Sequence, residues 1–272
     1  ETSIDFVMKD PLPIVTLKVN EKERCNFLID TGAASVILEE DFASEIGIES
    51  SDSFEGTFLG GKKAPVKQGF LESITLNEIT VTNVPVDILK LKLVGMDIKG
   101  IIGTVLFYHF LTTLDYPNDK LILRRKDGKY KPKIKHSEKV YRMPIWMAGS
   151  HYAVAWGQVN EGPPNLLFVD TGGGGVGIMC SDRTIEEAGI NLPDNEGREA
   201  MGGGGMAQVV PFNIEKASLG QAMRENVQGI YTKNFPLENA FGFHIGGIVS
   251  HQFLKAYSVT FDYDKMELIL DP

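Results

Sequence analysis

Asp30 and Asp170 lie in the part of the sequence best suited to chemistry, because each begins an Asp-Thr-Gly tripeptide. A short apolar run precedes each copy, at residues 27–29 and 167–169. A carboxylate placed where a buried strand turns into a glycine-containing loop is held ready for proton transfer. Two such carboxylates in contact share one proton and so supply both an acid and a base. The tripeptide occurs by chance in many proteins, so this interpretation depends on whether its surroundings also repeat.

The sequence around the two tripeptides does repeat, at a nearly constant spacing. Aligning Asp30 with Asp170 sets an offset of 140 residues. Two later anchors match at an offset of 147, namely residues 100–103 with 247–250 and residues 113–116 with 260–263. A glycine-rich patch lies between the anchors in each half. Matching segments in the same order, with so little drift in spacing, indicate an internal duplication.

The chain length and charge limit the possible organisation. A chain of 272 residues fits two domains of about 100–150 residues each. We predict a first lobe at residues 1–125, a basic linker at 126–142 and a second lobe at 143–272. The net charge of −9 disfavours a nucleic-acid partner, since phosphate binding needs clustered cations. No stretch reaches the roughly 18 apolar residues of a membrane helix, so no membrane span is expected.

The residue types along the chain are those of strands. β-branched and aliphatic side chains bounded by Asn, Asp, Gly and Pro predict strands at residues 14–19, 74–76, 79–81 and 112–114. Each half also contains one helical segment, at 39–46 and at 181–188, the second with Ser181 or Asp182 as its N-cap. The predicted fold is therefore all-β, with two mostly antiparallel lobes and one short helix in each.

The combined pattern resembles the retropepsin-like aspartic peptidases, in a single-chain, tandem form like that of bacterial members. The resemblance covers residues 12–123 and 152–270. In the first half it is carried by LIDTGA at 28–33, the glycine pair at 60–61, IIG at 101–103 and the segment 110–123. It implies two β-barrel lobes related by a pseudo-twofold axis, with few short helices.

The same resemblance implies roles for the residues of both tripeptides. Asp30 and Asp170 would meet at the pseudo-twofold axis and activate a water molecule that attacks a peptide bond. Thr31 and Thr171 would form hydrogen bonds across the axis and lock the two loops together. The predicted function is an aspartic endopeptidase, a hydrolase acting on extended peptides or proteins at apolar positions. It would be a monomer with two lobes.

The residues after each threonine affect how the carboxyls titrate. Gly32 and Gly172 let the backbone approach closely and can donate amide hydrogen bonds to the carboxylates. Ala33 and Gly173, three residues past each aspartate, have no side-chain donor that would stabilise the ionised carboxyl. The pKa of the pair should therefore be raised. We expect a mildly acidic optimum, roughly pH 5–6 rather than 2–3, by that hydrogen-bond argument.

The two glycine-rich patches are predicted to be flaps that close over an extended peptide and pair with its backbone. The residues assigned to them are Leu59, Gly60 and Gly61 in the first half and Gly203 and Gly204 in the second. A patch in both halves favours two flaps, as in retropepsins, over one flap, as in pepsins. The alternative is that both patches are hairpin tips without a function.

The second loop departs from the family pattern, because residues 172–175 are four glycines. Glycine loses much conformational entropy on ordering, so this loop is expected to be poorly preorganised. The alternative function is therefore a catalytically weak or inactive peptide-binding protein that keeps the cleft. The run also satisfies the dinucleotide-binding pattern G-x-G-x-x-G, but no βαβ unit follows it, and that interpretation leaves the first half unexplained.

The remaining reactive residue types show no pattern of their own. The five histidines have no short paired spacing, and Cys25 and Cys180 occupy non-equivalent places in the two repeats. We therefore expect no metal and no cofactor. The start at Glu1 rather than at an initiator Met is interpreted as a mature or trimmed form. An extracytoplasmic location, periplasmic or secreted, is expected.

Overall fold

The structure is a computed structural model of the 272-residue chain. It describes all residues except 10, 22, 58–62, 92–95, 128–138, 195–196, 203–204, 234, 236 and 238–240. The predicted flap residues Leu59, Gly60, Gly61, Gly203 and Gly204 therefore lie outside the described residues, as does most of the predicted linker. None of the helices in the described part of the chain is long and apolar enough to cross a membrane.

We call the unit built from the first ten strands the first lobe. Its strands are β1 (Thr2–Lys9), β2 (Leu12–Val19), β3 (Glu23–Ile29), β4 (Val36–Glu39), β5 (Phe54–Thr57), β6 (Lys63–Leu76), β7 (Ile79–Leu89), β8 (Gly100–Ile102), β9 (Phe110–Asp115) and β10 (Lys120–Arg125). Its helices are α1 (Glu40–Glu45) and α2 (Thr104–Phe107), with a 3-10 turn at Tyr116–Asn118.

The later strands build the second lobe. They are β11 (Tyr141–Pro144), β12 (Trp146–Ala148), β13 (Tyr152–Val159), β14 (Asn165–Val169), β15 (Ile178–Cys180), β16 (Arg198–Gly202), β17 (Gly205–Leu219), β18 (Ala222–Tyr231), β19 (Gly247–Val249), β20 (Ser258–Asp262) and β21 (Glu267–Asp271). The helices are α3 (Asp182–Glu187) and α4 (His251–Leu254). The prediction of an all-β fold with few short helices is confirmed. The lobe and linker bounds stay predictions, although β11 begins at Tyr141, inside the predicted linker.

Strand β8 holds both ends of the loop that carries Asp30. It pairs in parallel with β3, which precedes the loop, and in antiparallel with β4, which follows it. Phe27 and Ile29 of β3 are fully buried, which explains the apolar run before the tripeptide. The second lobe repeats this arrangement, because β19 pairs in parallel with β14 and in antiparallel with β15. The duplication seen in the sequence is therefore also a duplication of topology.

Six neighbouring strands from both lobes, in the order β11-β21-β20-β9-β10-β1, form one end of a larger sheet that continues from β1 into β2; we call these six strands the joint sheet. At its centre β9 and β20 pair in antiparallel, with Thr113 opposite Thr260 and their hydroxyl oxygens 2.7 Å apart. The buried Arg124 of β10 donates to the Thr113 hydroxyl over 3.0 Å and forms a 2.7 Å ion pair with Glu1. The sequence predicts β9 but not this joint sheet, which fixes the two lobes against each other.

Both predicted helices are present, and in the part of the chain that the structure describes each lobe contains one more. Glu39 caps α1 by accepting a hydrogen bond of 3.0 Å from the Phe42 amide. Ser181 is the N-cap of α3, and its hydroxyl accepts from the Thr184 amide over 3.2 Å. Over the described residues the expectation of one helix per lobe is corrected to two, because α2 and α4 follow β8 and β19 closely. Each is a single turn, too short to show an apolar periodicity.

Removing either hydroxyl of the buried Thr113–Thr260 pair should lower the free energy of unfolding, and the loss should be larger for Thr113 than for Thr260. Thr260→Val leaves the Thr113 hydroxyl with Arg124 as a donor, so we expect a loss of about 1 kcal/mol in the free energy of unfolding. Thr113→Val also leaves the buried Arg124 without that acceptor, so we expect about 2–3 kcal/mol. The double variant should lose less than the sum, because both changes remove the same contact. Denaturant unfolding measures all three.

The exposed pair Thr75 and Thr80, with hydroxyl oxygens 2.9 Å apart, provides a matched control. Thr80→Val should stay within about 0.5 kcal/mol of the wild type, as surface substitutions usually do. Equal losses for Thr113→Val and Thr80→Val would show that the buried pair contributes nothing particular to the joint sheet.

Candidate active site

The loops after β3 and β14 bring Asp30 and Asp170 together where the two lobes meet. The Asp30 amide donates to the Ile102 carbonyl over 3.0 Å, and the Asp170 amide donates to the Val249 carbonyl over 3.0 Å. Each aspartate is thus anchored to the strand behind its own loop. The two carboxyls are in hydrogen-bond contact, and both residues keep partial access to solvent. A solvent-accessible pair of touching carboxyls is the arrangement that the sequence predicted.

Thr31 and Thr171 link the two loops by reciprocal hydrogen bonds. The Thr31 amide donates to the Thr171 hydroxyl over 3.0 Å, and the Thr171 amide donates to the Thr31 hydroxyl over 3.1 Å. The Thr31 hydroxyl then donates to the Val169 carbonyl over 2.9 Å, and the Thr171 hydroxyl donates to the Ile29 carbonyl over 3.3 Å. Both threonines are buried. Four hydrogen bonds therefore cross between the lobes directly beneath the aspartates.

The glycines of the tripeptides leave room for the carboxyl groups. The Gly32 amide donates to Oδ1 of Asp30 over 2.7 Å, and the Gly172 amide donates to Oδ1 of Asp170 over 2.8 Å. A Cβ atom placed on Gly32 would lie 2.8 Å from Cγ of Asp170. A Cβ atom on Gly172 would likewise collide with the Asp30 carboxyl. Each glycine thus binds the aspartate of its own lobe and makes space for the aspartate of the other.

Burial raises the pKa of both carboxyls. The negative charge of Asp170 and the hydrogen bond with it raise the pKa of Asp30 further, while the amides of Gly32 and Ala33 lower it. The hydrogen bond from Asp30 and nearby glycine amides, that of Gly173 among them, lower the pKa of Asp170. The same contact therefore favours the neutral form of one carboxyl and the ionised form of the other. This is the electrostatic arrangement in which two carboxyls share one proton.

Several residues near the aspartates were not identified from the sequence. Nε2 of His151 lies 3.2 Å from the Gly32 carbonyl, and Nδ1 lies 3.0 Å from the Ser150 hydroxyl. Because a carbonyl only accepts, Nε2 carries the proton and donates across the lobes. Burial lowers the pKa of His151, which favours this neutral form. No repeat or motif marks His151, because its partner is distant in the sequence.

Tyr116 lies behind the aspartates. Burial and the charges of Asp170 and Asp30 raise the pKa of its hydroxyl, and its ring packs edge-on against His251 with centroids 5.6 Å apart. Tyr116 belongs to the segment 113–116 that repeats at 260–263, so the sequence did contain a signal for this residue. His251 is itself buried at the start of α4.

The elements that lead to the predicted flaps are antiparallel hairpins. Strand β5 pairs with β6, and β16 pairs with β17 from Arg198 opposite Val209 to Gly202 opposite Gly205. The predicted flap residues themselves lie outside the described residues, so the flap assignment stays a prediction.

The comparisons with known proteins agree with this geometry. Residues 15–106, which contain Asp30 and end within α2, match the family model described as aspartyl protease. The resemblance to the aspartic peptidases is confirmed. The aspartic proteinase from Irpex lacteus has a similar fold, with a TM-score of 0.62 and 14% identity over 99% of this chain and 96% of that chain. No curated protein matches the sequence. The tandem retropepsin arrangement and the bacterial type stay predictions.

The hydrogen bonds of Thr31 provide a test of the link between the lobes. Thr31→Val removes the hydroxyl and leaves the Thr171 amide and the Val169 carbonyl without partners in a buried place. At about 1–3 kcal/mol for each of the two unsatisfied groups, we expect the free energy of unfolding to fall by about 2–6 kcal/mol. Denaturant unfolding followed by intrinsic fluorescence measures the loss.

Thr31→Ser is the matched control, because it keeps the hydroxyl and removes only one methyl group. We expect it to cost about 1 kcal/mol. A Val variant as stable as the Ser variant would contradict the assignment of the link to these hydrogen bonds.

Proposed function

We propose that the chain is an aspartic endopeptidase in which Asp30 and Asp170 activate a water molecule for attack on a peptide bond. The observation that carries this proposal is the contact of two carboxyls with raised pKa values at the junction of the lobes. The aspartyl protease family match and the fold shared with an aspartic proteinase support the reaction class. A peptide or protein is the corresponding substrate.

The shared proton divides the work between the two carboxyls. The ionised carboxyl accepts a proton from the bound water, and the water oxygen attacks the peptide carbonyl carbon while the protonated carboxyl donates to the carbonyl oxygen. A tetrahedral diol forms without a covalent bond to the enzyme. The carboxyl that took the water proton passes it to the amide nitrogen, and the carbon–nitrogen bond breaks. As the diol collapses to a carboxylic acid, one of its hydroxyls returns a proton to the other carboxylate, so the pair again holds one proton. Thr31 and Thr171 serve by keeping the two carboxyls in contact.

The peptide is expected to lie extended across the aspartates and to pair with the hairpins β5–β6 and β16–β17 by strand addition. A monomeric state and an extracytoplasmic location are part of the proposal and stay predictions. The alternative is a peptide-binding protein that hydrolyses weakly or not at all, which the sequence suggested on account of the glycine-rich second loop.

Replacing either aspartate should abolish peptide cleavage. Asp30→Asn and Asp170→Asn each remove the acid–base pair, and general acid–base catalysis contributes about 10²–10⁴-fold, so we expect kcat to fall at least about a hundredfold. Cleavage of a library of fluorogenic peptides between pH 3 and pH 8 measures the effect. Asp5→Asn is the control, because this carboxylate is exposed and its 2.6 Å ion pair with Lys120 is remote from the site.

Each outcome of this experiment distinguishes the two functions. Cleavage that survives either Asn substitution contradicts the proposed pair. A wild-type protein that binds peptides but cleaves none over the whole pH range supports the peptide-binding alternative instead.

The raised pKa values predict how activity and stability depend on pH. We expect activity to be greatest at roughly pH 5–6, because amide hydrogen bonds alone stabilise the ionised carboxyl less than an added hydroxyl donor does. In the folded protein the pair binds a proton more tightly than an unfolded aspartate with its pKa of 3.8. The free energy of unfolding should therefore fall as the pH rises from about 4 through the folded-state pKa.

The pH profile of peptide hydrolysis measures the first effect, and an activity maximum near pH 3 contradicts it. Unfolding experiments at several pH values measure the second effect. Asp30→Asn removes the repulsion between the carboxyls, so the difference between wild type and variant should grow with pH over this window. A constant difference would mean that the pair does not bind an additional proton in the folded state.

A further inference from the structure

The loop after Asp170 is longer than the loop after Asp30. Strand β4 begins six residues after Asp30, whereas β15 begins eight residues after Asp170. The later ends of the two loops are held alike, since the Val105 amide donates to the Ala34 carbonyl over 2.9 Å and the Gln252 amide donates to the Val176 carbonyl over 3.0 Å. The two additional residues therefore fall within the glycine run of the second lobe.

The residue that follows the strand behind each loop differs between the two lobes. The first lobe has Gly103 there, and the second has Ser250 at an offset of 147. A Cβ atom on Gly103 would lie 2.6 Å from the Ala33 carbonyl oxygen and would also collide with the Ser35 carbonyl. The shorter first loop thus fills the space that a side chain would need. The longer second loop leaves this space open, and the buried Ser250 occupies it.

Ser250 contacts the glycine-rich loop through its hydroxyl. Its Oγ lies 2.5 Å from the Asp170 carbonyl oxygen and 2.8 Å from the Gly173 carbonyl oxygen. The hydroxyl has a single proton, so it donates to one of these two carbonyls at a time. A Cβ atom on Gly173 would collide with Oγ of Ser250 and lie 2.9 Å from its Cβ. Gly173 is therefore a glycine because the Ser250 side chain stands where its own side chain would be.

We propose that Ser250 is a positioning residue that holds the glycine-rich loop of the second lobe in its working geometry and so orients Asp170. In the first lobe the corresponding space is filled by the backbone of the loop itself, beside Ala33. The pair Gly173 and Ser250 replaces the pair Ala33 and Gly103. This inference rests on the proposed function, since it concerns the orientation of one of the two proposed catalytic carboxyls.

The kinetic test uses Ser250→Ala, which keeps the Cβ atom and removes the hydroxyl. Losing one buried hydrogen bond to the Asp170 backbone should lower kcat by about tenfold and leave KM within about twofold. The melting temperature should fall by about 2–4 °C. Ser258→Ala is the matched control, because that hydroxyl donates to Asp115 over 2.7 Å in the joint sheet. Ser258→Ala should lower the melting temperature by about as much as Ser250→Ala and should leave kcat unchanged.

The structural test is a double-mutant cycle at residues 173 and 250, made of Gly173→Ala, Ser250→Gly and the two combined. Gly173→Ala alone introduces the collision with Ser250, so its melting temperature should fall by more than that of Ser250→Ala. The double variant Gly173→Ala with Ser250→Gly recreates the residue pair of the first lobe and removes the collision. Its melting temperature and kcat should therefore exceed those of Gly173→Ala alone.

The outcomes separate this proposal from the proposed function. If wild type cleaves peptides and Ser250→Ala keeps its kcat, Ser250 is only a structural residue and the positioning role fails while the peptidase stands. If the double variant is no more stable than Gly173→Ala, the Ser250 side chain does not occupy the space that a side chain at residue 173 would need, and that part of the proposal is wrong. If wild type cleaves nothing, the proposed function and the positioning role both fail, and the melting cycle still reports on the contact.

Discussion

Asp30 and Asp170 repel each other and lose hydration where the lobes meet, so the rest of the structure must hold them in contact. Removing a carboxylate from water costs several kcal/mol unless other groups compensate, and repulsion between like charges grows where the dielectric constant is low. Two features offset these costs. One proton shared by the pair, as proposed above, would remove much of the repulsion, and the amides of Gly32 and Gly172 bind the carboxylate oxygens. The hydrogen bonds of the two threonines then keep the loops from separating.

The threonine link works only if the strands behind it are rigid. Strands β8 and β19 fix both ends of each loop, and the joint six-stranded sheet fixes one lobe against the other. The buried contact of Thr113 with Thr260 repeats, in this sheet, the pairing of equivalent residues seen at Thr31 and Thr171. In both places equivalent residues of the two copies meet, so the duplicated halves pack against each other through matching positions. The duplication is thus the physical origin of the carboxyl pair.

The sequence was sufficient for the features that are local or repeated. Apolar runs bounded by turn residues located β2, β9 and the β6–β7 hairpin, and the choice of Ser181 or Asp182 as N-cap located the start of α3 to within one residue. The repeat of Asp-Thr-Gly predicted that Asp30 and Asp170 meet. The sequence was not sufficient for α2 and α4, which are single turns, or for the joint sheet, whose central pairing links residues far apart in the chain. His151 also escaped notice, because its role depends on contact with the opposite lobe.

The glycine run at residues 172–175 has a different explanation once the neighbours of each glycine in the structure are known. Four consecutive glycines predict a loop with a high entropic cost of ordering, and this was the reason to doubt the second site. In the structure the loop is confined from several sides: Ser250 lies against Gly173, Leu12 of the first lobe lies against Gly174, and Gly175 takes a left-handed conformation with φ of 76°. Gly173 and Gly174 are needed because other groups occupy the space that their side chains would fill, and Gly175 is needed for its left-handed backbone. The glycines are therefore better explained by close packing than by flexibility, and they do not by themselves favour an inactive protein.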